Sequence, residues 1–202
     1  MASNYLFLFD LDSTISKVEI LPELAKQTGC YAQMKLVTEQ TMLGELPFEH
    51  SFLQRVNILR DIEIDVVNNI ISDRIPLNEQ IVDFIKANRE RCLIITGNLD
   101  VWIDSLMKKL GMQGRYFSSR AEVNQNKLHK VTCVIDKSIV VSQLNQVFVA
   151  IGDGDNDAGM IKTADIGIGF GGVRPIANSV LENTTYAVYS EEKLCQLLKR
   201  LL

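Results

Sequence analysis

Histidine is scarce in this chain: it has only His50 and His129, and neither sits at the end of a predicted strand, so acid–base chemistry falls to carboxylates. Its four cysteines, Cys30, Cys92, Cys133 and Cys195, form no C-x-x-C pair, and Cys92 lies inside the apolar run Cys92-Leu93-Ile94-Ile95. Reduced thiols with a packing role are expected, rather than a disulfide framework. There is no run of lysine or arginine. With 25 acidic and 21 basic residues the net charge is −4, which speaks against a nucleic-acid partner and requires a local cationic site for any small anionic ligand. Long apolar runs are missing too. The N-terminal one has no basic segment before it and ends at Asp10, too early for a signal peptide or a membrane span, so a cytoplasmic location and no membrane partner are expected.

What the chain does have is alternation. Its 202 residues suit one domain, or a domain with a sizeable insertion. Short apolar runs, read as strands buried on both faces, fall at residues 5–11, 92–96, 147–152, 165–170 and 185–189. Helical patterns occupy residues 77–88, 99–110, 131–144, 173–181 and 191–202. The expected fold is α/β, a doubly wound Rossmann-like parallel sheet. From residue 16 to 74 the pattern is helical throughout. This predicts a small all-helical cap (16–74) inserted after the first strand of a core made of residues 1–15 and 75–202, covering the strand ends where open α/β sheets bind ligands.

Two segments at those strand ends carry the chemistry. In "FDLDSTIS", residues 9–16, a buried strand runs directly into Asp10, Asp12 and two hydroxyls. A carboxylate buried there needs a proton, a cation or a hydrogen-bond network. In "IGDGDNDAGM", residues 151–160, Asp153, Asp155, Asn156 and Asp157 crowd a loop broken by Gly154. An EF-hand would need Gly and Glu where Ala158 and Ala164 stand, so a calcium loop is excluded. "GIGFGG" fits G-x-G-x-x-G through Gly167, Gly169 and Gly172, but it lies on a late strand with only Glu191 as an acidic partner, so a dinucleotide site is not favoured. Carboxylates gathered from these segments repel by roughly 4 kcal/mol per close pair at an effective dielectric near 20. A divalent cation follows, and an all-oxygen set favours Mg²⁺.

Asp10-Leu11-Asp12-Ser13-Thr14, Thr96 at the next strand end, and Gly152-Asp153-Gly154-Asp155-Asn156-Asp157 occur in the order of D-x-D-x-T, Ser/Thr and G-D-G-x-N-D. In these the chain resembles the haloacid dehalogenase superfamily of phosphatases. The resemblance implies Asp10 as nucleophile through an aspartyl-phosphate, and Asp12 as general acid and base. It implies Thr96 and Gly97 as donors to the phosphoryl group, a catalytic lysine, and Mg²⁺ held by Asp10, Asp12 through its backbone carbonyl, and Asp153, with Asp157 behind. Of Lys127, Lys130 and Lys137, Lys130 best matches the family's spacing to Asp153. Lys137 is expected in mid-helix and solvated.

Within the superfamily the chain is most similar to the phosphoserine phosphatase family, through "VTEQTMLGELPFEHSFLQRVNIL", residues 37–59. That resemblance implies a small phosphorylated metabolite as partner, L-phosphoserine first, a place in serine biosynthesis, and Glu19, Arg55 and Asn156 as substrate-binding residues; Asn98, where the family has glycine, is expected to add a side chain beside the substrate. Arg55 interrupts an otherwise apolar helical stripe of Phe48, Phe52 and Leu59, as an anion-binding guanidinium would. Snorkelling, or pairing with Glu19, is the plainer account of it. Met42 and Phe48 are expected in the packing of the cap, and Trp102 in that of the core. The family carries Ser-Gly-Gly where this chain has Thr96-Gly97-Asn98, which leaves another small phosphate, or phosphoryl transfer to an alcohol, as the alternative. A signalling receiver also gathers acids, a Thr and a Lys around one Asp, but lacks the second Asp and the cap. A monomer or a homodimer fits equally.

Overall fold

The computed structural model describes residues 4–42 and 47–202. Of the side chains expected to pack in the cap, those of Met42 and Phe48 lie outside the described residues. The strands are β1 (Leu6–Phe9), β2 (Cys92–Leu99), β3 (Tyr116–Asn124), β4 (Lys127–Cys133), β5 (Phe148–Gly152), β6 (Ile166–Phe170) and β7 (Tyr186–Val188). Among the described residues they form a sheet of order β4-β3-β2-β1-β5-β6-β7, parallel except for the β3–β4 pair. Runs such as Leu6-Phe7-Leu8-Phe9 are buried on both faces, and helices cover the sheet.

The described part of residues 16–74 carries the helices α1 (Ile20–Gln27), α2 (Tyr31–Met42), α3 (Phe48–Leu59) and α4 (Ile64–Arg74). They are followed by α5 (Glu79–Ala87), α6 (Asp100–Leu110), α7 (Lys137–Ser142), α8 (Ala158–Thr163), α9 (Asn178–Leu181) and α10 (Glu191–Arg200). Helix α4 is tied to α6, because the buried Asn68 donates to the Val101 carbonyl (2.6 Å) and accepts from the Ser105 N–H (3.0 Å). Glu191, the acid weighed for a dinucleotide site, instead caps α5 by accepting from the Gln80 N–H at 2.6 Å.

Three elements depart from the sequence expectation. The predicted helix over residues 131–144 is strand up to Cys133, and helix only from Lys137 to Ser142. Its start is set by Asp136, whose carboxylate accepts from the Ser138 N–H at 2.8 Å. A hairpin, β3–β4, turns on Gln125 and Asn126, both at positive φ (49° and 59°), and lies mostly exposed at the sheet edge. Most of the predicted helix over 173–181 is an irregular loop, leaving only α9.

All four cysteines are free, and burial pushes the Cys92 thiol up to about 12 and that of Cys195 to about 11. Trp102 is fully buried, as expected of a packing residue. Among the described residues no helix is long and apolar enough to cross a membrane.

Candidate active site

The sheet register delivers the site. Phe9 pairs with Ile94 of β2 and Ile151 of β5, so Asp10 and Asp153, just past the ends of β1 and β5, lie within about a residue of the level of Thr96, where the pairing of β2 with β3 shifts register. The Asp10 N–H still bonds the Ile151 carbonyl at 2.9 Å, and Asp12 then opens an irregular turn in which Ser13 adopts φ +56°. Three strand ends around one crevice are what the sequence spacing anticipated.

Lys137 sits at the centre of this crevice. Its ammonium bonds Asp10 Oδ1 and, at 2.6 Å, Asp157 Oδ1, and all three side chains are buried. Burial opposes its charge, but the two carboxylates outweigh that and hold the ammonium above its ordinary range. This corrects the expectation for Lys130, which is exposed on β4 across from Glu122, with Lys127 also exposed. Reading α7 six residues too long at its start had placed Lys137 in mid-helix; as its first residue, Lys137 instead faces the strand ends.

Asp157 organises the acidic loop. Its Oδ2 accepts the N–H groups of Asp153 and Gly154, both at 3.0 Å. The backbone at Gly152 passes so close that a Cβ there would lie 2.5 Å from Asp157 Cγ. Asp153 accepts from the Thr14 hydroxyl (3.4 Å) and from Arg174 Nε. Asp155, exposed, accepts from Ser179 and faces away from this group.

Asp12 is held from two sides. The Ile20 N–H bonds its Oδ1 at 2.8 Å, and the Asn98 carboxamide donates to its Oδ2. Asn98 in turn donates its backbone N–H to the Thr96 hydroxyl at 3.2 Å, which links the β2 strand end to Asp12. Gly97 is buried, and its carbonyl accepts from Ser119. Asn156 lies half-buried in the turn before α8.

The helical insertion reaches the crevice through Glu19 and Arg55. Arg55 is buried, and its Nη1 lies 3.5 Å from Glu19 Oε2. Three buried side-chain polar atoms have no hydrogen-bond partner among the described residues: Arg55 Nε and Asn98 Oδ1 at the crevice, and Trp102 Nε1 on α6. Arg174 joins Glu19 Oε1 at 2.5 Å while holding Asp153. It was missed at the sequence level, where a lone arginine in "GGVRP" was absorbed into a predicted helix.

Electrically the crevice is short of positive charge: Asp10, Asp12, Glu19, Asp153 and Asp157 face Lys137, Arg55 and Arg174, two negative charges in excess. Burial, then Asp157, drives the Asp10 carboxyl well above the carboxylate range. Burial raises Asp153 to about 7 in spite of Arg174, and burial with Glu19 raises Asp12 to about 6. One carboxylate oxygen from each of Asp10, Asp153 and Asp157 lies within 4.8 Å of the others, so these three buried residues form an all-oxygen set able to hold a hard divalent cation.

A family model described as haloacid dehalogenase-like hydrolase matches residues 6–165. The chain belongs to that family. The hydrolase is 31% identical to the phosphoserine phosphatase of Methanocaldococcus jannaschii over 180 residues, 82% of this chain and 84% of that protein. It is 29% identical to the phosphoserine phosphatase of Archaeoglobus fulgidus over 95% of its own length, and spans 58% of that relative. It is also similar to a solved phosphoserine phosphatase carrying an analogue of the phospho-aspartyl intermediate, with a TM-score of 0.77 and 29% identity over 99% of this chain and 100% of that one.

Proposed function

We propose that the hydrolase is a phosphatase that removes phosphate from L-phosphoserine through an aspartyl-phosphate on Asp10. The observation that carries this reading is the pair of unpartnered buried atoms next to Asp12. Arg55 Nε lacks an acceptor and Asn98 Oδ1 lacks a donor, and a substrate head bearing a carboxylate and an ammonium supplies one of each. Similarity to named phosphoserine phosphatases supports it.

In this reading an Asp10 oxygen attacks phosphorus as the bond to the serine oxygen breaks, and Asp12, poised near 6, gives that oxygen its proton. Water then attacks the phosphorus, the Asp10–phosphorus bond breaks, and Asp12 takes the water's proton. Lys137 favours the ionised form of Asp10 against burial and aims it. The Thr96 hydroxyl and the Gly97 N–H donate to phosphoryl oxygens. Asp10, Asp153 and the Asp12 carbonyl would hold Mg²⁺, backed by Asp157, and the bound ion would neutralise charge building on the phosphoryl group. Glu19, with Asn98 Oδ1, would receive the ammonium, and Asn156 would line the pocket. The helices of residues 16–74 act as a cap over the core of 1–15 and 75–202, keeping bulk water from the intermediate.

The test is phosphate release, with and without Mg²⁺, from L-phosphoserine, phosphothreonine, phosphoethanolamine and p-nitrophenyl phosphate. Preference for L-phosphoserine is expected, with kcat/KM down about 100-fold in Arg55→Ala and turnover lost in Asp10→Asn. Activity confined to p-nitrophenyl phosphate would keep Asp10 and Asp12 in their roles and reject phosphoserine in favour of another small phosphate.

A further inference from the structure

Among the described residues, Arg174 is the one cation in the crevice that the proposed chemistry does not use. It stands in the loop after β6, its side chain about one-third exposed. That loop is fixed to the site by the Ala177 N–H, which bonds the Asp153 carbonyl at 2.8 Å. Its guanidinium takes two carboxylates from distant parts of the chain: Nε bonds Asp153 Oδ2, and Nη1 bonds Glu19 Oε1 at 2.5 Å. A third nitrogen, Nη2, lies flat against the backbone, 2.8 Å from where a Cβ on Gly154 would be. Such fork geometry suits a planar guanidinium and fixes its position.

Both carboxylates have a part in the proposed reaction. Asp153 belongs to the oxygen set that fits a divalent cation, and Glu19 lies where the head of the substrate would sit. The second oxygen of Asp153 is also engaged, by the Thr14 hydroxyl at 3.4 Å. An incoming cation therefore meets a unit positive charge already in contact with its ligand, whichever oxygen it uses. We propose that Arg174 is a positioning residue that holds Asp153 and Glu19 together and competes with a divalent ion for Asp153, which it must release before the ion binds there. The proposal rests on the metal-dependent reading above. It makes metal entry an exchange of one cation for another, with the guanidinium staying tethered to Glu19.

The experiment is calorimetric titration of Mg²⁺ into the full chain stripped by chelator, without substrate, for the wild type, Arg174→Gln, Arg55→Gln and Asp153→Asn. Arg55 serves as the control because it also pairs with Glu19 but makes no contact with Asp153. Release of a contact pair predicts a Kd at least about tenfold lower in Arg174→Gln and a change under about threefold in Arg55→Gln. Arg174→Lys keeps the charge but reaches one carboxylate at a time. It is expected to fall between wild type and Arg174→Gln, and it answers the question should the Gln variant fail to fold. An unchanged or weaker Kd in Arg174→Gln, or an equal gain in Arg55→Gln, overturns the proposal while Mg²⁺ binding that is lost in Asp153→Asn leaves the metal-dependent reading standing. No binding by any variant overturns both. Binding by Arg174→Gln but not by wild type is the strongest support for the exchange.

Discussion

Lys137 is a single side chain whose removal would strand two buried carboxylates. Asp10 already carries a raised pKa from burial and from Asp157, and the Lys137 ammonium is the chief influence holding it down. Taking away one partner of a buried ion pair is costly because the remaining charge is left without water or counter-ion. Lys137→Met is therefore expected to lose about 3–5 kcal/mol of stability in chelator, read by urea unfolding, and to lose turnover as well. Lys130→Ala, on the exposed face of β4, should change stability by less than about 0.5 kcal/mol and leave kcat/KM intact. If Lys130→Ala instead abolished activity while Lys137→Met did not, the central place given to Lys137 would be wrong.

At the scale of elements, the site depends on how strands end. β5 finishes in Gly152, and the carboxylate of Asp157 folds back over that glycine to accept two N–H groups. Gly152→Ala would push a methyl group into Asp157, with no flexible tip to yield, so the loop must shift and Asp153 with it. A loss of roughly 1–3 kcal/mol in stability is expected, together with Mg²⁺ binding weakened more than about tenfold in calorimetry. A variant with wild-type Mg²⁺ affinity would show that the loop tolerates the shift. The same strand ends explain what was legible beforehand. β1, β2, β5 and β6 were readable because their runs are apolar on both sides and end in acids, a hydroxyl or glycine. The β3–β4 hairpin was not, since one edge strand is exposed along most of its length and its polar residues outnumber the buried ones. The start of α7 was hidden because Val131 and Val134 continue the helical apolar spacing upstream of Asp136. Arg174 was invisible for a different reason: its partners Asp153 and Glu19 are 21 and 155 residues away, and no local pattern marks such a pairing.

For the molecule as a whole, the helical insertion and the sheet are joined through charges that a ligand would rearrange. Glu19 comes from the segment before α1, Arg55 from α3, Arg174 from beyond β6, and Asp153 from the end of β5. Two surplus negative charges make this junction a poor host for a phosphate alone and a better one once a divalent ion has entered. Binding of either ligand to the folded state stabilises it by mass action, by about 2.7 kcal/mol at a hundredfold excess over Kd. For a chain of this size that corresponds to a rise in Tm of roughly 5–10 °C. Inorganic phosphate alone should therefore move Tm little and Mg²⁺ alone should raise it, while the two together should raise it by more than the sum of the separate shifts, because each removes charge that opposes the other. Scanning calorimetry of the full chain checks this, and in Asp153→Asn the excess over additivity should vanish. Purely additive shifts in the wild type would mean that phosphate and cation occupy separate places, and that the three strand ends do not act as one site.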